Sequence, residues 1–288
     1  MADAVPPTAA APEHPWLVRF LMALTGPWNR ESVLSLVKLV VLILFIKGCI
    51  IDQYSIPSGS MEPTLHGDER FLRGDRVLVN KWLYGPRIPF TTIRLWDWAE
   101  PKRWDIVVFK PVKGASNHPI LIKRVVGLPG ERVRIAGGGI EVNGERLEFP
   151  ASLPPGQYYC NDLDILQRAL TAPTPQERRY WEAVREQYPL RYGVREEDQY
   201  LVVPKDHYLM LGDNSLESVD SRVFGWVPRH HVYGRAFGMW WPWPRRQDFT
   251  GFSHTWWGKL LLYGIPALLL AAEVRQYLRQ RRRQTPAG

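Results

Sequence analysis

Two side chains in this sequence have the types and surroundings for acyl transfer, a serine and a lysine. Ser60 lies in Ile56-Pro57-Ser58-Gly59-Ser60-Met61-Glu62-Pro63-Thr64-Leu65. Pro57 and Pro63 restrict this turn, so the segment reads as a hydroxyl presented on a rigid support. A hydroxyl becomes a useful nucleophile when a neighbouring base takes its proton. The base candidate is Lys123, in Ile122-Lys123-Arg124-Val125-Val126-Gly127-Leu128-Pro129-Gly130. An exposed lysine has a pKa of about 10.4 and is protonated at neutral pH, whereas burial without a carboxylate partner lowers that value. Leu121, Ile122, Val125 and Val126 supply an apolar environment. Strand alternation puts Lys123 on the face of Leu121 and Val125, opposite Ile122 and Arg124. Ser60 is therefore read as nucleophile and Lys123 as general base. The hydroxyl of Ser58 can join the Ser60 backbone N–H in an oxyanion hole. The bland alternatives are a turn serine, a turn-capping hydroxyl and a snorkelling edge-strand lysine.

A third polar segment, Gly212-Asp213-Asn214-Ser215-Leu216-Glu217-Ser218-Val219-Asp220-Ser221-Arg222, follows a strand ending at Met210-Leu211. It lacks the acidic spacing of a calcium loop, so no metal is expected there.

The elements that must carry these segments are short strands behind an apolar anchor. The chain has 288 residues, and its 45% hydrophobic content is enough for a sizeable core. Its net charge of +8 suits nucleic acid or an anionic membrane surface. The membrane reading is preferred, because spanning candidates are present and no nucleic-acid motif is. Residues 33–51 are apolar except for Ser35, Lys38, Lys47 and Gly48, long enough to span if the lysines snorkel. No small-residue cleavage site follows, so a removed leader is not expected. Residues 1–32 are read as a cytoplasmic segment, with an interfacial helix at Trp16 to Leu24. A second span is expected at 256–272, although Pro266 interrupts it and an interfacial helix is the alternative. It is followed by a basic cytoplasmic tail, 273–288, containing Arg275, Arg279, Arg281, Arg282 and Arg283.

Between these spans, residues 52–255 read as an external β-rich domain. The strand candidates are 76–80, 105–109, 120–126, 132–135 and 200–203, bounded by Gly, Pro and Asn clusters. Gly137-Gly138-Gly139 and Asn143-Gly144 frame a hairpin. The 151–199 insertion is polar. Thr174-Pro175-Gln176-Glu177 starts a helix in it that runs to about Gln187, and a solvated excursion is the expectation for the insertion, with a substrate lid as the alternative. Met239-Trp240-Trp241-Pro242-Trp243 is too aromatic for a solvated strand and is expected at headgroup level. No disulfide is expected between Cys49 and Cys160.

Three ordered blocks resemble those of bacterial signal peptidase I, a membrane-bound Ser-Lys protease family. They are Pro57 to Met61 with Pro63-Thr64-Leu65, Lys123 to Gly130, and Gly212-Asp213-Asn214 with Asp220-Ser221-Arg222. A fourth, Arg103 to Phe109, carries Trp104 where glycine is usual. The resemblance, which runs from Ile46 to Trp243 without the 151–199 insertion, implies a mainly β fold with an antiparallel-sheet catalytic domain of signal-peptidase type. The residues themselves add an N-terminal transmembrane helix, a helical insertion and a C-terminal transmembrane helix, and this topology departs from the two leading spans frequent in the family. It implies removal of signal peptides from exported precursors at the outer face of the cytoplasmic membrane. By position it assigns Ser60 as nucleophile, Lys123 as base and Ser58 as oxyanion donor. It assigns Ser218 to orienting the lysine, and Asp220 with Arg222 to a supporting ion pair. Ser215-Leu216-Glu217 departs from the usual Arg-Asp-Asn, which puts local salt bridges in doubt. Small residues in the substrate call for shallow apolar pockets, with Ile56, Met61, Leu65, Leu121 and Ile122 as candidate walls. Signal peptides and membrane lipids are the expected partners. Neither cofactor, metal nor nucleic acid is expected.

A Ser-His-Asp hydrolase is the nearest enzyme rival, but no G-x-S-x-G elbow surrounds Ser60. A self-cleaving repressor-type protease would need a DNA-binding region where the span lies. An inactive membrane-anchored binding domain is the rival from another class, and the intact Ser60 and Lys123 argue against it.

Overall fold

The computed structural model describes residues 29–88, 91–112, 116, 118–151, 153, 156–187, 201–268, 270–272 and 274–275. The expected interfacial helix at Trp16 to Leu24 and all tail arginines except Arg275 lie outside them. The chain divides into two units, residues 1–48 and 49–288.

In the first unit, helix α1 runs from Arg30 to Phe45. Asn29 caps it by accepting the Ser32 N–H, which satisfies one of the free N–H groups of the first turn. A π-helical turn, Ile46–Ile50, continues the helical run. Together they form one run of 21 residues, Arg30–Ile50, long and apolar enough to cross a membrane. The apolar side chains of α1 are exposed all round, as expected of a lipid-facing helix.

The second unit contains strands β1 (Ile51–Ser55), β2 (Arg76–Asn80), β3 (Ile106–Phe109), β4 (Leu121–Gly127), β5 (Arg132–Ala136), β6 (Gly139–Val142) and β7 (Glu145–Arg146). Helices α2 (Asp162–Thr171) and α3 (Pro175–Gln187) follow, then β8 (Leu201–Val202) and β9 (His207–Leu211). The unit continues with α4 (Ser221–Phe224), β10 (Val227–Pro228), β11 (Val232–Trp241), β12 (Gln247–Asp248) and α5 (Trp256–Lys259). The larger sheet has the order β1-β2-β11-β3-β4-β9-β10, with β12 beside β11; the smaller has the order β7-β6-β5-β8. Every pair is antiparallel.

The large sheet is buried on both faces around β3 and β4. Ile106, Val108 and Ile122 join one cluster with Val77 and Met239. Val107, Phe109 and Val125 join another with Tyr208 and Met210. The period-2 alternation therefore fixes register twice over. The small sheet packs Val133, Ile135 and Ile140 against Leu209 and Leu211 in a third cluster.

One expectation needs correction. The insertion is not simply solvated. Tyr159, Cys160, Ile165 and Ala169 are buried, and α2 is fixed by a capping box between Asn161 and Asp164. Among the described residues of the insertion, helix α3 is the part that matches the solvated reading along its described length. Towards the C-terminus, α5 begins at Trp256, and residues 260–264 form a π-helical turn. Residues 265–268, 270–272 and 274–275 are helical, so Pro266 does not end the helix. Among the described residues, however, Arg30–Ile50 is the only helix long and apolar enough to cross a membrane.

Candidate active site

The serine segment is held as a loop between β1 and β2. Ile56 is buried and exchanges backbone bonds with this loop: its N–H donates to Asp75 O at 2.9 Å, and Asp68 N–H donates to its carbonyl at 3.1 Å. Ser58 is extended, and Gly59–Met61 forms a single 3₁₀ turn. Met61 and Leu65 are fully buried and pin the turn from below. A Cβ on Gly67 would lie 2.0 Å from the Ser58 carbonyl carbon and oxygen, so only glycine permits this close approach.

Lys123 lies in the middle of β4, opposite Val107 of β3. Its Nζ is 2.5 Å from Ser60 Oγ, although the two residues are 63 positions apart in the chain. The lysine is 3% exposed and the serine 8%. Burial lowers the Lys123 pKa to about 8, against the upward pull of the Asp220 and Asp213 charges and with a further push down from Arg222. About a tenth of this amine is therefore neutral at pH 7, against well under a thousandth for an exposed lysine. Ser58 Oγ lies 3.5 Å from Ser60 Oγ, within weak hydrogen-bonding distance.

The third segment closes over this pair. Asn214 N–H donates to Ser60 O at 3.2 Å, and its side-chain amide donates to Gly59 O at 3.2 Å. Asp213 forms a buried two-pronged bond with Arg124, at 2.6 and 2.8 Å. Asp220 accepts the Gly212 N–H at 3.0 Å and pairs with Arg222 at 2.7 Å, both residues being fully buried. Burial alone would raise the Asp220 carboxyl. The Arg222 guanidinium, the Gly212 N–H and the Lys123 charge together outweigh it and hold the carboxyl below the usual range. Arg222 also donates to Ser215 Oγ and O, and to Cys160 O. Ser215, where arginine is usual, thus becomes a hydrogen-bond acceptor.

Ser218 sits beside this centre without the bond expected of it. Its Oγ is buried and has no hydrogen-bond partner among the described residues, and Lys123 Nζ donates to Ser60 instead. Gly212 separates the two serines. A Cβ there would lie 2.1 Å from Ser218 Oγ and 2.5 Å from Ser60 O. Gly212→Ala is therefore expected to displace Ser60 and Ser218, lowering kcat much more than thermal stability. Steady-state kinetics beside a melting curve check this.

Of the candidate pocket walls, Ile56, Met61, Leu65 and Ile122 share one buried cluster, whereas Leu121 packs against another. The Asn214 clamp, the Arg124–Asp213 pair and the contact of Cys160 with Arg222 were not assigned from sequence. Asn214, Arg124 and Asp213 lie inside the motifs, but nothing in their spacing reveals their partners. Among the described residues, no group of three or more His, Cys, Asp or Glu side chains is placed to hold a metal. Chemically, the centre offers a hydroxyl in contact with a buried amine whose proton affinity is reduced. That is the equipment for transfer of an acyl group through an ester.

Comparisons with known proteins agree in family. A model described as "Signal peptidase, peptidase S26" matches residues 29–241. "Signal peptidase I" of Pseudomonas aeruginosa is 32% identical over 250 residues, covering 78% of this chain and 79% of that protein. "Probable signal peptidase I-2" of a Synechocystis species is 32% identical over 237 residues, 81% and 77% of the two chains. A crystal structure of a signal peptidase I from Enterococcus faecalis aligns at 30% identity over 48% of this chain and 97% of its own, with a TM-score of 0.29.

Proposed function

The chain belongs to the signal peptidase family, peptidase S26, and we propose that Ser60 and Lys123 carry out the family's reaction in it. The protein is a serine endopeptidase that removes signal peptides from precursor proteins. The observation that best supports the assignment of the pair is the buried 2.5 Å contact between Lys123 Nζ and Ser60 Oγ.

Neutral Lys123 takes the Ser60 proton as Oγ attacks the scissile carbonyl carbon. The developing oxyanion receives hydrogen bonds from the Ser60 N–H and the Ser58 hydroxyl. The lysine ammonium then protonates the leaving amine, and the C–N bond breaks. Lys123, neutral again, takes a proton from water as it attacks the acyl ester. The ester breaks, and the proton returns to Ser60. Ser218, whose buried hydroxyl has no partner among the described residues in the resting arrangement, orients the amine between these steps only by turning that hydroxyl onto Nζ. Asp220 and Arg222 keep the neighbouring charge balanced. Ile122 is the apolar wall nearest the small substrate residues, backed from beneath by the buried Ile56, Met61 and Leu65, whereas Leu121 packs on the other face of β4.

The pH profile tests the role of the lysine. The base form is required, and its fraction rises with pH. The kcat/KM is therefore expected to climb through about pH 8 and flatten above it. A flat profile from pH 6 to 9 contradicts the assignment.

The apolar run Arg30–Ile50 supports a membrane-anchored protein. The catalytic domain, 52–255, lies outside the cytoplasmic membrane and both termini lie inside. The helix beginning at Trp256 returns the chain through the bilayer. Its 17 positions to residue 272 cover about 25 Å, against a hydrocarbon core of about 30 Å. Trp256, Trp257 and the arginines after it help close that gap. A tag fused after Gly288 is expected to survive protease added outside intact spheroplasts. Its removal, with a cytoplasmic control intact, excludes the second span.

A further inference from the structure

We propose that the ribbon formed by residues 86–88 and 91–98 is a second membrane-contacting element, seated in the headgroup layer where the chain leaves the bilayer. The inference rests on the anchored reading above.

The ribbon presents an unusual surface. Ile93 is 59% exposed, Leu95 and Trp96 56%, Trp98 46%, Ile88 41%, and the adjoining Trp82 38%. Large apolar side chains gathered in this way mark an interaction site. The three indoles form a chain, with centroids 5.2 Å apart for Trp82 and Trp98 and 6.1 Å for Trp96 and Trp98.

Most polar groups of the ribbon point inward. Ile88 N–H donates to Ile93 O and Leu95 N–H to Pro86 O. Trp98 Nε1 donates to Trp82 O and Leu83 O at 2.9 and 3.0 Å. Arg87 and Arg94 turn away from the exposed face and donate to Val232 O of β11 at 3.3 and 2.7 Å. Gly85 has φ +115°, and a Cβ there would lie 2.0 Å from Trp96 O, so the root of the ribbon is tightly closed. Backbone satisfied internally beneath an apolar surface is what contact with lipid requires.

Position selects lipid over a protein partner. Lys81 N–H, next to Trp82, donates to Ile50 O at 2.8 Å. The Cys49 thiol lies 4.0 Å from Arg87 O. Ile50 is the last residue of the apolar helical run. Covalent continuity therefore keeps the ribbon's root at the edge of the hydrocarbon, where indoles are favoured. The one carboxylate within the ribbon, Asp97, is exposed and is paired with Arg94 and Arg229, which offset its charge.

The test uses the full chain reconstituted in phosphatidylcholine/phosphatidylglycerol vesicles. An environment-sensitive fluorophore is attached through Leu95→Cys, Val41→Cys in α1 or Leu170→Cys in α2. Cys49 and Cys160 are buried and leave the introduced thiol as the accessible one. Nitroxides on the upper acyl chain are expected to quench the probe at position 95 and to leave the probe at 170 bright. Quenching at 41 with none at 95 overturns the ribbon proposal and leaves the anchor intact. Absence of quenching at 41 overturns the anchored reading, and the ribbon proposal with it. A probe at 95 that is shielded only when copies of the chain crosslink assigns the ribbon to protein contact and also overturns the proposal.

Discussion

Lys123→Ala is expected to abolish precursor processing while the protein stays folded. The side chain is buried against Ser60 Oγ, and no other amine lies within hydrogen-bonding distance of that hydroxyl among the described residues. Removing it leaves Ser60 with its ordinary weak nucleophilicity. Ser60→Ala should be equally severe. The double variant should be no worse than either single one, because groups acting as a unit lose activity non-additively. Circular dichroism and melting curves establish that each variant is folded, and single-turnover cleavage of a precursor measures the loss. A folded Lys123→Ala protein with near-normal turnover removes the lysine from the mechanism. Lys123→Arg is expected to fail as well, because a guanidinium stays charged at working pH and cannot accept the proton.

Ser58→Ala is the second large effect. The Ser58 hydroxyl lies 3.5 Å from Ser60 Oγ on the extended residue that leads into the 3₁₀ turn. A donor at that point stabilises charge only as it develops, so its removal should appear in kcat. By comparison with other oxyanion donors the loss is about 10²–10³-fold, or about 2.7–4 kcal/mol. Binding of an uncleaved substrate peptide should change little. Ser58→Thr keeps the hydroxyl and should recover part of the rate. A loss confined to KM would mean that Ser58 shapes the pocket and does not stabilise the oxyanion.

Much of this site is legible in the sequence because strand alternation and turn chemistry are local. The run around Lys123 has one charged pair inside an apolar pattern, and β3 and β4 form where that pattern predicts. Pairing Ser60 with Lys123 across 63 residues came from reading the two motifs together, since neither residue alone reveals the other. Strand β11 is less visible. Gly234 and Gly238 interrupt its β-branched pattern, and its pairing with β2 shifts register twice. Glycine is nevertheless required at 234, where a Cβ would lie 2.4 Å from Asn80 O. Helix α2 was missed because its apolar face is short and its cap is Asn161 with Asp164, a subtler signal than Thr174-Pro175. The insertion looked solvated for a related reason. Its buried Cys160 bonds residues more than fifty positions away, Ser215 and Arg222, and Tyr159 donates its N–H to Gly138 O and packs on Phe149. Composition records polarity, and long-range contacts decide burial. The missing bond to Ser218 is a geometric detail of the same kind, because motif spacing places the residue and rotamers place its hydroxyl.

The most direct measurement is cleavage of a purified secretory precursor by the full-length enzyme in lipid vesicles, with the Ser60→Ala protein beside it. The wild-type chain should release a mature protein whose new N-terminus follows small residues, at a rate that rises with pH through about 8. Ser60→Ala, equally folded and equally membrane-bound, should release none. Release of the same mature protein by Ser60→Ala at a comparable rate would contradict the account at its centre.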